Sequence, residues 1–387
     1  MAVFLAVSLY PIVFIKMKIG ILTLPPRENY GGILQCYALQ TILERMGHKV
    51  TIIDEPYKAE NIPLYQMSLR ICKRLFYKYI LRRKCNIFIE RDLEKSRPII
   101  LQHLERFIKQ YLHRKIYASI FEIEKNEFDA IIVGSDQIWR YKYCKHIDNA
   151  FLVFTGGWNV KRISYAASFG IDYWDYSKRD TKKCRKAIKL FNAVSVREDS
   201  GVQLCKKYLN IDAEWVVDPT MLLQKKDYEQ LIDSYKTTQC KGNLFCYILD
   251  KSFDKEQLIK KVAEEKKLIP FSITDPNGNI RTNINGLIKQ PIEYWLKAFR
   301  DSEFIITDSF HACVFCIIFN KPFVVIGNFD RGMTRFESLF KRFKIQNNLL
   351  FSSRDYEVGK DYSLPTNIDI ILKESVQQGL NFLNNNL

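Results

Sequence analysis

Residues 303–328 have the sequence EFIITDSFHACVFCIIFNKPFVVIGN, in which three apolar runs are separated by short polar segments. EFIIT and PFVVIGN predict buried strands, and SFHACVFCIIFN between them predicts a helix. A strand, a helix and a second strand in this order are typical of parallel α/β sheets. Asp308, Ser309 and His311 stand where the first strand ends and the helix begins, although the chain has only five histidines.

The same alternation of strands and helices extends through the rest of the chain. From Met17, KIGILTL predicts a strand, PPRENYGG a loop, ILQCYALQTILERMG a helix and KVTIID the next strand. FDAIIVGSD, RISYAASFG, AVSVRED and AEWVVDPTMLL continue the series, and the pattern restarts with NLFCYIL. A chain of 387 residues exceeds one ordinary core of ~100–200 residues. We therefore predict an α/β protein with two Rossmann-like domains, over 17–220 and 221–345, and a C-terminal tail and helix over 346–387.

Basic residues are concentrated in one part of the chain. Lysine and arginine number 59 against 43 aspartates and glutamates, and the segment 62–120 alone contains 14 basic and 4 acidic residues. We expect a helical insertion over 62–118, with a break at Pro98. Its charge suits contact with an anionic partner, and a set of solvated helix faces is the alternative. Nucleic acid is disfavoured as that partner because no aromatic and basic recognition motif accompanies the charge.

The cysteines and the first residues bear on location. The ten cysteines form no framework of close pairs, which indicates reduced thiols in a cytoplasmic protein. Cys313 and Cys316 lack a second pair at zinc-finger spacing, so we expect them to share a packing face of one helix, with a metal or redox site as the alternative. Residues 1–16 are apolar but too short to cross a bilayer, and we expect the natural start to be Met17.

Polar residues recur at the ends of the predicted parallel strands, where ligands of such sheets bind. Gly31 and Gly32 follow the first strand and would allow a ligand to approach the backbone closely. His311 lies on the first turn of a helix, where backbone N–H groups disfavour the imidazolium and leave a neutral imidazole as a base. The alternative for His311 is a histidine satisfied by a backbone carbonyl.

Three further candidates follow other strands. Arg197 is suited to bind a carboxylate or a phosphate, and an ion pair with Glu198 or Asp199 is its alternative. Ser135 and Asp136 follow AIIV and are either site residues or a helix N-cap. Arg335 and Arg331 would reach the same cleft from a later loop, or they belong to a solvated helix start.

At these residues the sequence resembles the polysaccharide pyruvyl transferase family. The segments that carry the resemblance are NYGGILQCYALQ, IIVGSDQIW, SYAASFG, SVRED, VVDPT and TDSFHACVFCIIFNKPFVV, in that order. The resemblance covers residues 17 to about 339, apart from the helices over 62–118. The resemblance implies a pair of Rossmann-like domains of the glycosyltransferase-B type. It also implies transfer of a pyruvyl group from phosphoenolpyruvate to two hydroxyls of a sugar, which gives a cyclic ketal.

The resemblance assigns roles to residues of this chain. His311 matches the catalytic histidine of the family and Arg197 matches the arginine that holds phosphoenolpyruvate. Family members carry arginine two positions before this histidine and often glycine after it, whereas this chain has Ser309 and Ala312. We therefore expect that Arg335 or another basic residue replaces that anion ligand, or that the donor differs. The remaining substrate-binding candidates are Asn29, Tyr30, Gly31, Gly32, Gln35, Ser135, Asp136, Asp308 and Ser309.

The expected partners are phosphoenolpyruvate and a saccharide acceptor of a surface polysaccharide or its lipid-linked precursor, and the expected chemistry needs no metal or cofactor. A lipid-linked acceptor would give the insertion 62–118 a reason to contact the inner face of the cytoplasmic membrane. Two other functions stay open from the sequence. One is a glycosyltransferase that uses a nucleotide-sugar donor in the same cleft, and the other is a non-catalytic scaffold of glycan assembly.

Overall fold

A computed structural model describes residues 17–57, 63–83, 86–144, 146–275, 278–280, 282–327 and 332–387. The apolar segment 1–16 and Arg331 lie outside the described residues. None of the described helices is long and apolar enough to cross a membrane. Each half of the chain builds one parallel sheet, so the predicted α/β fold with two Rossmann-like domains is confirmed.

The first sheet is formed by residues 18–215. Its strands are β1 (Lys18–Leu22), β2 (Lys49–Asp54), β3 (Arg114–Ile116), β4 (Ala130–Val133), β5 (Lys161–Ala167), β6 (Ala193–Val196) and β7 (Glu214–Trp215). They lie in the order β3-β2-β1-β4-β5-β6-β7, and every neighbouring pair is parallel. The central strands β1 and β4 are nearly all apolar because helices cover both faces of such a sheet.

The second sheet is formed by residues 244–350. Its strands are β8 (Leu244–Tyr247), β9 (Pro270–Phe271), β10 (Phe304–Thr307), β11 (Phe323–Ile326) and β12 (Leu349–Leu350). They lie in the parallel order β12-β11-β10-β8-β9. β12 belongs to this sheet although the sequence placed its residues in the C-terminal tail.

Thirteen helices connect and cover the strands in the described part of the chain. Their bounds are α1 (Tyr30–Arg45), α2 (Leu64–Tyr79), α3 (Ile89–Ile100), α4 (Gln102–Tyr111), α5 (Ile147–Ala150), α6 (Lys178–Ile188), α7 (Asp199–Leu204), α8 (Lys225–Asp233), α9 (Phe253–Lys266), α10 (Ile292–Asp301), α11 (Phe310–Ile318), α12 (Thr334–Phe343) and α13 (Ile368–Asn386).

Helix α1 begins earlier than the sequence predicted. The segment PPRENYGG was expected to be a loop throughout, but Tyr30, Gly31 and Gly32 form the first turn of α1. The reason is a side-chain cap: Oδ1 of Asn29 accepts a hydrogen bond from the backbone N–H of Gly32 at 3.3 Å. The two glycines are therefore helical residues, and their small size matters for packing.

The basic insertion is only partly a separate helical layer. α2 and α3 have no fully buried side chain among their described residues, whereas α4 buries Leu104, Phe107 and Ile108 in the main core. The segment Arg114–Ile116, which the sequence included in the helical insertion, is edge strand β3 of the first sheet. Pro98 lies inside α3, which ends two residues later.

The two halves share a continuous apolar core. The Tyr30 ring stacks on Trp295 with centroids 5.4 Å apart, and its hydroxyl donates to the carbonyl of Gln290 at 2.9 Å. The final helix α13 packs against the first half, where the ring of Phe382 lies against Tyr165. These contacts hold the carboxyl ends of the two sheets next to one another.

Candidate active site

A cleft of about 590 Å³ lies between the carboxyl ends of the two sheets. The segments that follow β1 and β4 line it from the first half, and those that follow β8 and β10 line it from the second. Seven of the residues predicted from the sequence line this cleft, namely Asn29, Gly32, Asp136, Asp308, Ser309, His311 and Arg335. The other five, Tyr30, Gly31, Gln35, Ser135 and Arg197, lie behind its wall.

His311 lies on the first turn of α11 and is 5% exposed. Its Nε2 atom is buried and lies 3.6 Å from Oδ2 of Asp218, beyond hydrogen-bond length but close enough for a strong electrostatic contact. The ring packs against Gly31 on its other side. The imidazole is therefore held between a carboxylate and the first turn of α1.

Asp218 is the centre of the polar network behind the cleft. Its Oδ2 accepts from Nη1 of Arg197 at 2.7 Å and from Oγ of Ser135 at 3.3 Å. Its Oδ1 accepts from the backbone N–H and the hydroxyl of Thr220 at 3.0 and 2.7 Å. Burial by itself would raise the pKa of Asp218, but His311, Arg197 and Thr220 outweigh burial and hold that pKa well below its usual range. Asp218 is thus a buried anion that faces the histidine.

Arg197 is 4% exposed and does not line the cleft. Besides Asp218, it meets Oε1 of Glu198 at 3.4 Å and Oδ1 of Asp136 at 3.6 Å. Burial opposes the charge of Arg197, but these three carboxylates raise its pKa above the ordinary value. Arg197 therefore forms an ion pair with Glu198, which was the alternative to ligand binding that the sequence left open.

Arg335, unlike Arg197, lines the cleft. It lies on the first turn of α12, and its Cζ is 5.6 Å from the centroid of the Phe310 ring, while Cζ of Arg197 is 4.4 Å from the same centroid. Burial and the like charge of Arg197 lower the pKa of Arg335 to about 10. Arg335 therefore stays a cation near neutral pH.

The two glycines of α1 have different surroundings. A Cβ atom built on Gly31 would lie 2.1 Å from Cγ and 2.2 Å from Nδ1 of His311, so only glycine fits there. A Cβ atom on Gly32 would meet nothing nearer than Cβ of Asn29 at 3.5 Å, an ordinary contact. Gly31 therefore sets the distance between α1 and the imidazole, whereas Gly32 lines the cleft.

Two of the predicted residues behind the wall fix the loops. Gln35 is fully buried; it donates to Oγ1 of Thr23 at 3.1 Å and accepts from the backbone N–H of Ser135 at 3.0 Å. Ser135 in turn donates to the carbonyl of Ala166 at 2.9 Å. These bonds hold the segment after β4 against the segment after β1, so Gln35 and Ser135 support the cleft without touching it.

Asp308 lines the cleft, yet its carboxylate is bound within the protein. It accepts from the backbone N–H groups of Leu249 and Asp250 at 2.7 and 3.0 Å, and from Nζ of Lys255 at 2.7 Å. Ser309 is the N-cap residue of α11, and its backbone N–H donates to Oγ1 of Thr307. Asp308 thus joins the loops after β8 and β10.

The mouth of the cleft includes a residue of the basic insertion. Arg97 of α3 pairs with Glu28, and its Cζ lies 3.8 Å from the centroid of the Tyr57 ring. Arg27 lies on the same side and donates to Oδ1 of Asp54 at 3.2 Å. Tyr57 and Arg97 were not predicted from the sequence, because no pattern in the insertion indicates that α3 reaches the cleft.

The charges that line the cleft nearly cancel. Three arginines, Arg27, Arg97 and Arg335, stand against four carboxylates, Glu28, Glu55, Asp136 and Asp308. Backbone dipoles add to the positive side because α1, α11 and α12 each begin at this cleft. No group of three or more metal-binding side chains is arranged to hold an ion within the described ranges.

The fold and the site define a two-domain α/β protein whose candidate site lies between its sheets. A sequence model of the family described as polysaccharide pyruvyl transferase matches residues 29–331. The chain therefore belongs to the polysaccharide pyruvyl transferase family and is a transferase. This family is the one indicated by the motifs that surround Gly31, Arg197 and His311.

Solved structures show a distant likeness over the whole chain. A UDP co-structure of MnaA from S. aureus is 14% identical, with 96% of this chain and 91% of that chain covered and a TM-score of 0.45. UGT89C1 from Arabidopsis thaliana complexed with UDP-L-rhamnose is 10% identical, with 95% of this chain and 90% of that chain covered and a TM-score of 0.44. UDP-GlcNAc 2-epimerase from Neisseria meningitidis is 10% identical, with 94% of this chain and 100% of that chain covered and a TM-score of 0.39. No curated protein matches the chain.

Proposed function

We propose that this protein transfers the pyruvyl group of phosphoenolpyruvate to two hydroxyls of a saccharide, which belongs to a surface polysaccharide or its lipid-linked precursor. The observation that carries the proposal is the position of His311, which faces the cleft of a pyruvyl transferase family member and is backed by Asp218 at 3.6 Å. An imidazole oriented by a carboxylate is suited to move protons near neutral pH.

The donor would bind through charges and backbone dipoles. Phosphoenolpyruvate carries a carboxylate and a phosphate, and both are anions that helix N-termini bind. In the proposed complex Arg335 contacts one of these groups, and the first turns of α1 and α11 receive the other. Arg197, which lies behind the wall, contributes by holding Asp218 and Asp136 in place.

The proposed reaction has two additions. A sugar hydroxyl gives up its proton as its oxygen bonds to the enol carbon, and the methylene carbon takes up a proton and becomes a methyl group. Phosphate then leaves with the electron pair of its C–O bond, and a second hydroxyl adds to the same carbon and releases its proton. Because Nε2 of His311 is directed at Asp218, Nδ1 is the nitrogen left to exchange protons with the reactants.

A direct experiment tests this reaction. Purified protein is incubated with phosphoenolpyruvate and a panel of hexopyranosides, and release of phosphate is measured together with the mass of the sugar product. We expect phosphate release that depends on the sugar, with a pyruvate ketal as product, and a loss of about 10²-fold or more in His311→Ala.

The same incubation with nucleotide sugars in place of phosphoenolpyruvate provides the contrast. Release of a nucleotide, with no ketal formed from phosphoenolpyruvate, would contradict the proposal in favour of a glycosyltransferase. Thermal stabilisation by neither class of donor would instead favour a non-catalytic role in glycan assembly.

A further inference from the structure

Helix α2 presents an apolar stripe to solvent. Tyr65, Leu69, Phe76 and Tyr79 recur at helical spacing and are 65%, 66%, 51% and 66% exposed. The opposite face of the helix, with Met67, Ile71, Arg74 and Tyr77, is only partly exposed. α2 is therefore attached to the protein along one side while a second apolar side has no covering layer among the described residues.

The stripe is surrounded by positive charge. Residues 64–83 contain six basic side chains, Arg70, Lys73, Arg74, Lys78, Arg82 and Arg83, and no acidic one. Glu90 of α3 pairs with Arg74 at 2.5 Å and with Arg70 at 3.5 Å on the attached side. Lys73 and Lys78 are exposed beside the stripe.

Two other basic helices of the described chain, α6 and α4, bury their apolar residues. α6 has six basic residues and one acidic residue, yet its apolar residues Cys184, Ala187 and Ile188 are buried. α4, within the same basic insertion, buries its apolar face and pairs Arg106 with Glu293 at 2.6 Å. The combination of exposed apolar side chains and an excess of basic over acidic residues thus distinguishes α2 from these two helices.

We propose that α2 binds the surface of an anionic lipid bilayer, with its apolar stripe in the headgroup region and its lysines and arginines against the lipid phosphates. Helices with this pattern lie in the plane of a membrane surface. Charge complementarity selects this partner over a second copy of the chain, because paired α2 helices would bring together two sets of four basic side chains with no acidic residue in either helix.

This surface is connected to the candidate active site. The pair between Arg74 and Glu90 joins α2 to α3, and Arg97 at the far end of α3 lines the mouth of the cleft. A bilayer bound to α2 would therefore lie on the side of the protein that carries this wall of the cleft. If the proposed reaction holds, the acceptor is a saccharide carried on a membrane lipid; the binding itself does not depend on that reaction.

Vesicle cosedimentation tests the binding without donor or sugar, so its result is separate from that of the proposed function. We expect the full chain to bind vesicles of phosphatidylcholine mixed with phosphatidylglycerol and not vesicles of phosphatidylcholine alone, and we expect salt to release it. The double variant Leu69→Glu with Phe76→Glu should lose at least about tenfold in affinity for these vesicles. Its matched control is Val358→Glu with Ile370→Glu. These two side chains lie outside α2 and are 66% and 60% exposed, so the control should bind as the wild type does.

A charge-reversal pair adds a second comparison. Lys73→Glu with Lys78→Glu should weaken binding about tenfold or more, whereas Lys182→Glu with Lys186→Glu on α6 should not. Equal losses in both pairs, or binding that ignores phosphatidylglycerol, would overturn the proposal. A dimer in solution that the α2 variants dissociate, without any vesicle binding by the wild type, would assign the surface to a second copy instead.

Discussion

Replacement of Gly31 by alanine is the sharpest test of the site geometry. The added Cβ would lie 2.1 Å from Cγ, 2.2 Å from Nδ1 and 2.6 Å from Cβ of His311, whereas real Cβ contacts are essentially never below 3.0 Å. The contact at 2.6 Å involves an atom that is fixed by the backbone of α11. Rotation of the imidazole therefore does not relieve it, and α1 must move away from α11.

The expected effects are large for activity and moderate for stability. Displacement of the imidazole from Asp218 should lower the rate of phosphate release about 10²-fold or more, the contribution of a positioned acid or base. Overpacking between two helices should lower the free energy of unfolding by about 1–3 kcal/mol. The rate is measured with phosphoenolpyruvate and a hexopyranoside that the wild type uses, and stability is measured by urea unfolding.

Gly32→Ala is the matched control because it makes the same chemical change one residue later. Its Cβ would make only ordinary contacts, at 3.5 Å to Asn29 and 3.7 Å to Oδ2 of Asp136. We expect its stability to be unchanged or raised by up to about 1 kcal/mol, the helix preference of alanine over glycine. Wild-type activity in Gly31→Ala would refute the packing argument, and equal losses in both variants would show that backbone freedom, not the histidine contact, requires these glycines.

Two further predictions concern the charged groups. Asp218→Asn leaves the charge of Arg197 buried with less compensation and should lower the free energy of unfolding by about 3–5 kcal/mol at pH 7. Because the pKa of Asp218 is depressed in the folded protein, its carboxylate stabilises the fold fully above the unfolded pKa of about 4, and this stabilisation is lost as the pH falls further. Urea unfolding across pH should therefore show a difference in stability between variant and wild type that shrinks in acid. A stability difference that stays constant with pH would contradict the depressed pKa of Asp218. Arg335→Lys keeps the charge but loses the fork of donors, and should raise KM for phosphoenolpyruvate about tenfold with a smaller change in kcat, whereas an unchanged KM would place the donor elsewhere.

The architecture was predictable because local pattern and topology agree. Apolar runs bounded by glycine, proline and aspartate predicted the central strands, and parallel strands need helices between them. The rule that ligands bind at carboxyl ends of such strands then located His311, Asp136 and Asn29 on one cleft. Short edge strands such as β3 were missed because a three-residue strand carries too little periodicity to be distinguished from a helix end.

The direction of a buried side chain was less predictable. The sequence places Arg197 at a strand end, but whether it faces the cleft depends on which carboxylates lie near it in three dimensions. Asp218 lies 21 positions after Arg197 in the sequence, yet the shortest ion pair of Arg197 is with Asp218, at 2.7 Å. The Asp218-Pro219 step was visible as the end of a strand, yet its partnership with His311 joins the two halves and leaves no local signal. Burial of a cation beside three carboxylates is a tertiary property.

The balance of charge in the cleft bears on how the proposed donor, with its carboxylate and phosphate, would bind. Three arginines and four carboxylates line the cleft, so side chains alone give a donor with two anionic groups little net attraction. The first turns of three helices supply oriented N–H groups at the same place, and such groups bind anions without adding charged side chains. Ser309 opens one of those helices, and a small residue there leaves its amides accessible. In the proposed complex Arg335 supplies the guanidinium from α12, while Arg197, which is occupied by carboxylates, holds Asp218 beside His311.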